Sequence, residues 1–220
     1  MATPTAPADQ SSVDGGPGVS NTRGTRSRAG NAMGRTHEAA LRGAVAAIEK
    51  YGSRKATMGD IAMLAGIAKA TLYNHFRTRD DVYLAVVAAE VGGVAAAARA
   101  KLPDGLDVAI AEAARLIGEH VAVRKVAVDD PAALAALATP GDGPAWTAAR
   151  TEIAGALSDC GYVDSPAAVD LVLRYLASQL LTPSSAEDRA SAGTLLTNAA
   201  AAQAPRVPEP APADSADTSS

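Results

Sequence analysis

The stretch Thr57–Phe76, TMGDIAMLAGIAKATLYNHF, decides the fold. Thr57 stands just before an apolar-periodic run, where its hydroxyl can accept a hydrogen bond from a free backbone N–H of the first turn. Ile61, Ala62 and Ala65 follow at helical spacing and form one apolar stripe. Ala62 is small where a second helix must cross closely. Gly66 sits where the chain must turn, since glycine reaches left-handed backbone angles at little cost. Ile67 fills the corner. A second helix is expected from Ala68 to Asn74, with Leu72 facing inward and Phe76 closing the core behind it. That leaves Lys69, Thr71, Tyr73, Asn74 and His75 for solvent or for a ligand. Two short helices, a tight turn and a basic, hydroxyl-bearing second helix form the layout of a helix-turn-helix, whose second helix enters the DNA major groove.

The side chains left outside suit a phosphate-lined groove. Lys69 brings positive charge, Thr71 and Tyr73 bring hydroxyl donors, and His75 can donate from one ring nitrogen. Arg79 opens the next helix and places a guanidinium beside a helix N-terminus, both of which favour phosphate. Thr78 is expected to cap that helix, with Asp80 and Asp81 in its first turn at the positive end of the dipole.

Working outward, a first helix is expected over Thr36–Tyr51, with Leu41, Val45 and Ile48 on one face and Gly52 as its stop. The helix opened by Thr78 should run to about Lys101, where Pro103 follows. Gly92 and Gly93 in its middle are expected to bend it or to allow close packing. Further helices are expected at about 105–124, 131–139, 144–160, 165–181 and 185–202, separated by Asp130-Pro131, Pro140-Gly141, Gly161 to Pro166 and Thr182-Pro183. Residues 1–34 are rich in small and polar types and are expected to be a disordered arm, in which Arg23, Arg26 and Arg28 are placed to reach phosphates or a minor groove. Residues 204–220 repeat Ala, Pro, Asp and Ser and are expected to be a disordered tail.

Composition narrows the class. Hydrophobic residues make up 48% and aromatics 3%, and alanine dominates. No run of β-branched alternation proposes a sheet, so an all-α protein is expected. A single cysteine, Cys160, excludes an internal disulfide and fits a reducing cytoplasm. The N-terminus has no contiguous apolar segment of the secretory type, and Glu90 with Gly92-Gly93 interrupts the apolar run after Val82, so neither a signal peptide nor a membrane span is expected. The net charge of −4 is unevenly spread: residues 23–79 hold 11 Lys/Arg against 3 Asp/Glu, leaving 9 and 21 for the rest. A basic N-terminal module on an acidic body fits DNA binding through one end. No metal-type spacing links His37, His75 and His120, and there is no GxSxG, phosphate-binding loop or dinucleotide fingerprint. Neither an enzyme nor a bound metal or cofactor is expected.

Residues 36–85 resemble the DNA-binding domain of the TetR family of bacterial transcriptional regulators. The residues that carry the resemblance are Gly52, Thr57, Ile61, Ala62, Ala65, Gly66, Thr71, Leu72, Tyr73, His75, Phe76 and Leu84. It implies phosphate contacts from Thr57, Tyr73, His75 and Arg79, and base-edge contacts from Ala68, Lys69 and Ala70. It implies a helix-turn-helix domain at 35–80 and a helical effector-binding and dimerisation domain at 81–203. It further implies a double-stranded DNA operator, a homodimer through the helices at 165–181 and 185–202, and a small-molecule effector. Arg115, His120, Trp146, Arg150 and Tyr175 are the candidates to line the effector pocket. The shortage of aromatic residues leaves room there for an aliphatic or acyl ligand.

Three departures from the family pattern stand out. Ile67-Ala68 replaces a frequent Val-Ser, which removes a helix cap and a phosphate donor. Ala70 replaces a frequent glycine, and its methyl suits a thymine methyl. Arg79 replaces the usual lysine and keeps the charge. Two competing classes are a DNA-architectural protein that binds without sequence choice and a helical small-molecule-binding protein without regulatory DNA binding.

Overall fold

The computed structural model describes residues 22–162 and 165–203. Residues 1–21 of the expected arm and the expected tail at 204–220 lie outside the described residues. The chain divides into two units, Met1–Thr36 and His37–Ser220. Of the first, the described part is the leading portion of one helix; the second holds everything else discussed below.

Ten α-helices and no strand are present among the described residues. They are α1 (Thr22–Tyr51), α2 (Met58–Ala65), α3 (Lys69–His75), α4 (Arg79–Arg99), α5 (Leu106–Glu119), α6 (Val121–Asp129), α7 (Pro131–Ala138), α8 (Pro144–Asp159), α9 (Pro166–Leu181) and α10 (Ala186–Ala202). A 3₁₀ turn, Leu102–Asp104, joins α4 to α5. The protein is therefore all-α, as its composition implies.

Two differences from the sequence reading have physical causes. Helix α1 starts at Thr22 rather than Thr36, so the part of the arm holding Arg23, Arg26 and Arg28 is helical. Extending an existing helix needs no new nucleus. The helix expected at 105–124 is broken at His120, which ends α5 and precedes α6 with extended backbone (φ −66°, ψ 116°). No breaker marks that position; the ring of His120 bonds Glu90 across the fold instead.

A first core closes around α1–α4. Ala40, Ala44, Ala47, Ile61, Ala62, Leu72, Phe76 and Val82 are buried in it. Small side chains on α1 bring α2 close. At Gly43 an added Cβ would lie 2.7 Å from both the Ala65 Cβ and the Ile61 carbonyl oxygen, so only glycine fits there. A second core joins α5, α8, α9 and α10 through Leu106, Ile110, Leu157, Val169, Val172 and Leu196. Helix α10 lies along α5 at equally short range, since a Cβ on Gly193 would meet the Asp107 carbonyl oxygen at 2.4 Å.

Helix α4 belongs to both halves. Its first turns carry Val82 and Val86 into the first core, and its later turns pack on α5 and α8. Among the described residues, Arg79–Asp104 is the one segment long and apolar enough to cross a membrane by length and composition alone. Its apolar run has a use inside the fold, where one face lines a cavity. Gly92 and Gly93 neither interrupt α4 nor serve close packing; a Cβ on either would meet nothing within 4 Å.

A candidate DNA interface and an internal cavity

The helix-turn-helix is held by local hydrogen bonds that its sequence specifies. Thr57 caps α2 in a full capping box: its hydroxyl accepts from the Asp60 N–H at 3.2 Å, and the Asp60 carboxylate accepts from the Thr57 N–H at 2.9 Å. The Thr57 hydroxyl also donates to Asp60 Oδ2 at 2.6 Å. These bonds hold the Asp60 carboxyl below its ordinary range. Gly66 ends α2 in the left-handed region (φ 67°) and donates to the carbonyls of Ala62 and Met63. Helix α3 begins at Lys69 with no side-chain cap, because Ala68 has no oxygen to offer.

From this frame α3 turns Ala68, Lys69, Ala70, Tyr73 and Asn74 outward, while Leu72 is fully buried beneath them. Tyr73 is 46% exposed, a large aromatic in solvent. The Lys69 ammonium lies 6.0 Å from the Tyr73 ring centre, so charge and phenol share one face. Thr71 is half-buried. His75 is half-buried too, in a cluster with His37 (6.1 Å between rings) and Phe76.

Two expected phosphate contacts are directed elsewhere in this structure. Thr57 turns its hydroxyl proton to Asp60. Arg79 turns its guanidinium back to the turn before α2, donating to the carbonyl oxygens of Arg54 (3.2 Å) and Ala56 (3.4 Å), and it lies 5.5 Å from the Tyr83 ring centre. Tyr83 donates to Ser53 O at 3.1 Å in the same place. The start of α4 thus clamps the α1–α2 turn. Arg54, Lys55 and Arg77 are exposed near it, and the sequence reading did not single them out. Their charge was visible, but nothing in their spacing separated them from ordinary surface residues.

The other side of the α1–α2 turn meets the far half of the molecule. Gly52 has φ 82°, and a Cβ there would lie 2.2 Å from Asp129 Oδ2 at the end of α6. Asp129 is ion-paired with Lys125 at 3.3 Å.

The five residues expected to line a pocket separate on inspection. A cavity of about 280 Å³ lies between α4 and helices α5–α9, and His120 and Trp146 are on its wall. Arg115 is on a neighbouring surface recess and is paired with Glu112 (2.8 Å) and Glu119 (2.9 Å). Arg150 donates to the Gly141 carbonyl oxygen at 2.8 Å and anchors the loop before α8. Tyr175 packs against the second core. The wall itself is aliphatic: Val86, Val91, Val94, Ile110, Ile117, Leu137, Ile153 and Leu176 are among its residues. Sequence reading favoured polar and aromatic side chains and missed these, because a valine or leucine facing a void has the same helical spacing as one facing a core.

Two ionic groups hold the charged residues of that wall. Glu90 of α4 meets His120 (Oε2 to Nε2 3.2 Å), and Arg99 of α4 meets Glu152 of α8 (3.2 Å) and also Asp159. The hydrogen bond to Glu90 raises the His120 pKa above its ordinary value, and the same bond lowers that of Glu90. Gly155 leaves the notch through which the Arg99 guanidinium passes. Among the described residues no cluster of metal-ligating side chains occurs.

A capped helix-turn-helix with a basic exposed second helix, carried on an all-helical body, defines a DNA-binding transcriptional regulator. Residues 40–86 match the family described as bacterial regulatory proteins, tetR family. Two solved structures share the fold. One is the TetR family repressor AlkX from Dietzia sp. strain DQ12-45-1b, implicated in biodegradation of n-alkanes (24% identity over 72% of this chain and 94% of that one, TM-score 0.55). The other is a putative TetR-family transcriptional regulator from Mesorhizobium loti MAFF303099 (16% identity, 77% and 96% covered, TM-score 0.51). No protein of curated function matches the sequence.

Proposed function

We propose that this protein is a cytoplasmic, homodimeric repressor that binds a pseudo-palindromic operator and is released from it by an apolar effector. In this reading residues 35–80 bind DNA and residues 81–203 bind the effector and form the dimer. The observation that carries it is the double duty of α4. Its start is fastened to the helix-turn-helix through Val82, Val86 and Arg79, and its later turns form one wall of the cavity. A molecule that fills the cavity pushes on the same rigid element that positions α3, and the Gly52–Asp129 contact offers a second mechanical link.

On the DNA, Lys69, Tyr73 and Asn74 would supply backbone contacts, with Ala68, Lys69 and Ala70 at base edges. Two copies of α3 would then sit in successive major grooves about 34–36 Å apart. The exposed faces of α9 and α10 support a dimer. Ala167, Leu171, Arg174, Ser178 and Leu181 run along α9 at helical spacing, and Ser191, Thr194, Leu195 and Asn198 run along α10. Repression as the sign of regulation is supported by the fold shared with AlkX, itself a repressor.

The test is fluorescence anisotropy of the purified protein with a duplex from its own upstream region and with a scrambled duplex, across a salt series. Tight, salt-sensitive binding to the first alone is the expected result. Equal, weak binding to both would favour the architectural class. Absence of any salt-dependent binding would favour a helical ligand carrier.

A further inference from the structure

The cavity between α4 and α5–α9 is walled by hydrocarbon. Val91, Val94, Ile117, Leu137 and Ile153 line it and are half-buried, so part of each is left uncovered by the chain. Atoms facing a void lack the close neighbours that a packed core provides. Ile48 of α1 and Val86 of α4, both buried, complete the wall on the side of the helix-turn-helix.

Four ionisable side chains also reach the wall, Glu90, Arg99, His120 and Glu152, and each is committed elsewhere. Glu90 bonds His120 (3.2 Å), and Arg99 bonds Glu152 (3.2 Å) and Asp159. Their polar ends contribute almost nothing to the cavity surface, which is nearly all carbon. The unpartnered Nδ1 of His120 is buried away from it.

A ligand hydroxyl would give up its water here and find no partner. That costs affinity by a factor of roughly ten or more. A carboxylate would lose more still, since Glu90 and Glu152 carry like charge. A molecule made only of carbon and hydrogen gives up no hydrogen bond on entry and supplies the contacts that the wall lacks. Its size follows from the volume. A dry apolar cavity of ~150 Å³ takes one benzene. At about 280 Å³ this cavity is nearly twice as large, enough for roughly ten carbons.

Resting on the reading of this cavity as the effector site, we propose that its ligand is a hydrocarbon of roughly ten carbons with no hydrogen-bonding group. The bare wall is then what sets specificity, because it offers no anchor to alcohols and acids of the same skeleton.

Trp146 is the chain's single tryptophan and stands on the wall, so its emission reports occupancy. The full-length protein is titrated with decalin and decane, with their alcohols decahydro-2-naphthol and 1-decanol, and with decanoate, reading Trp146 emission and Tm. A ring and a chain are both used because the volume sets size and not shape. At least one hydrocarbon is expected to bind, at least about tenfold more tightly than its own alcohol, and decanoate is expected to bind most weakly. Val94→Phe is expected to fill the space and abolish hydrocarbon binding, with cooperative melting retained. An alcohol that binds as tightly as its parent hydrocarbon overturns the proposal. So does a cooperatively melting wild type that binds neither hydrocarbon, or a folded Val94→Phe variant that binds them as wild type does. Operator anisotropy separates the two claims. If a hydrocarbon binds and operator affinity is unchanged, the hydrocarbon site stands and the ligand-responsive reading fails. If an alcohol or the acid changes operator affinity and no hydrocarbon does, that reading stands and the ligand class fails.

Discussion

Lys69 and Tyr73 lie side by side on the exposed face of α3, above the buried Leu72. If that face meets DNA, Lys69→Ala lowers operator affinity and reduces the slope of log affinity against log salt by about 1. Tyr73→Ala weakens binding with little change in stability. Unchanged anisotropy titrations for both variants would rule out this interface. Thr57 is different, because its hydroxyl is committed to the capping box. Thr57→Ala should lower stability by about 1 kcal/mol, read as a shift in the urea midpoint. The Glu90–His120 pair gives a pH signature at the same scale. Glu90, Glu49 and Arg124 are the charged groups acting on His120, and Glu90 dominates. His120 titrates above its ordinary 6.5, so its contribution is fully present below that value and is lost as pH rises through the raised pKa. Glu90 titrates below its ordinary 4.5, so its contribution is lost as pH falls through the lowered value. Both groups are partly exposed, which limits the pair to about 0.2–1 kcal/mol. Urea midpoints from mildly acid to mildly alkaline pH should show that increment in wild type and not in Glu90→Gln.

At the scale of elements, glycine has opposite meanings in two helices. Gly43 of α1 faces Ala65 and the Ile61 carbonyl, with no room for a methyl. Gly43→Ala should force α1 and α2 apart and cost about 1–3 kcal/mol, as overpacking does. Gly92 and Gly93 of α4 face open space in the middle of a continuous helix. Alanine at each should stabilise by about 0.5–1 kcal/mol. In a chain of this size that is a rise in Tm of a few degrees, roughly 2–4 °C per kcal/mol. Thermal melts of the three single variants check both directions. A drop in Tm for Gly92→Ala would mean that the space beside α4 is filled in solution. The capping signals at Thr57 and Thr78 were legible because each acts on its own chain within four residues. The break at His120 was not, because its partner Glu90 lies thirty residues away in sequence.

For the whole molecule, the exposed stripes of α9 and α10 define the expected dimer. Leu171 and Leu195 are 44% and 69% exposed, and Leu181 at the end of the α9 row is 50% exposed. Leu171→Glu combined with Leu195→Glu should give a monomer by sedimentation. Operator affinity should fall steeply, since one half-site alone keeps only part of the binding energy. A double variant that remains dimeric would move the interface to another face. The long apolar run of α4 acquires its meaning only at this scale. By composition it meets the requirement for a membrane span, but its outlet in the fold is the cavity and the packing on α5 and α8.

The sequence by itself determined the local parts: an all-α chain, the capped helix-turn-helix, the inward Leu72 and Phe76, and the outward Lys69 and Tyr73. These follow from periodicity and from hydrogen bonds between near neighbours, which are written along the chain. Tertiary structure alone decided that Arg79 braces the Arg54–Ala56 turn, that Gly43 and Gly193 are points of closest helix approach, and that aliphatic residues line a void. Each depends on what a distant segment brings opposite, and one-dimensional spacing carries no record of the partner.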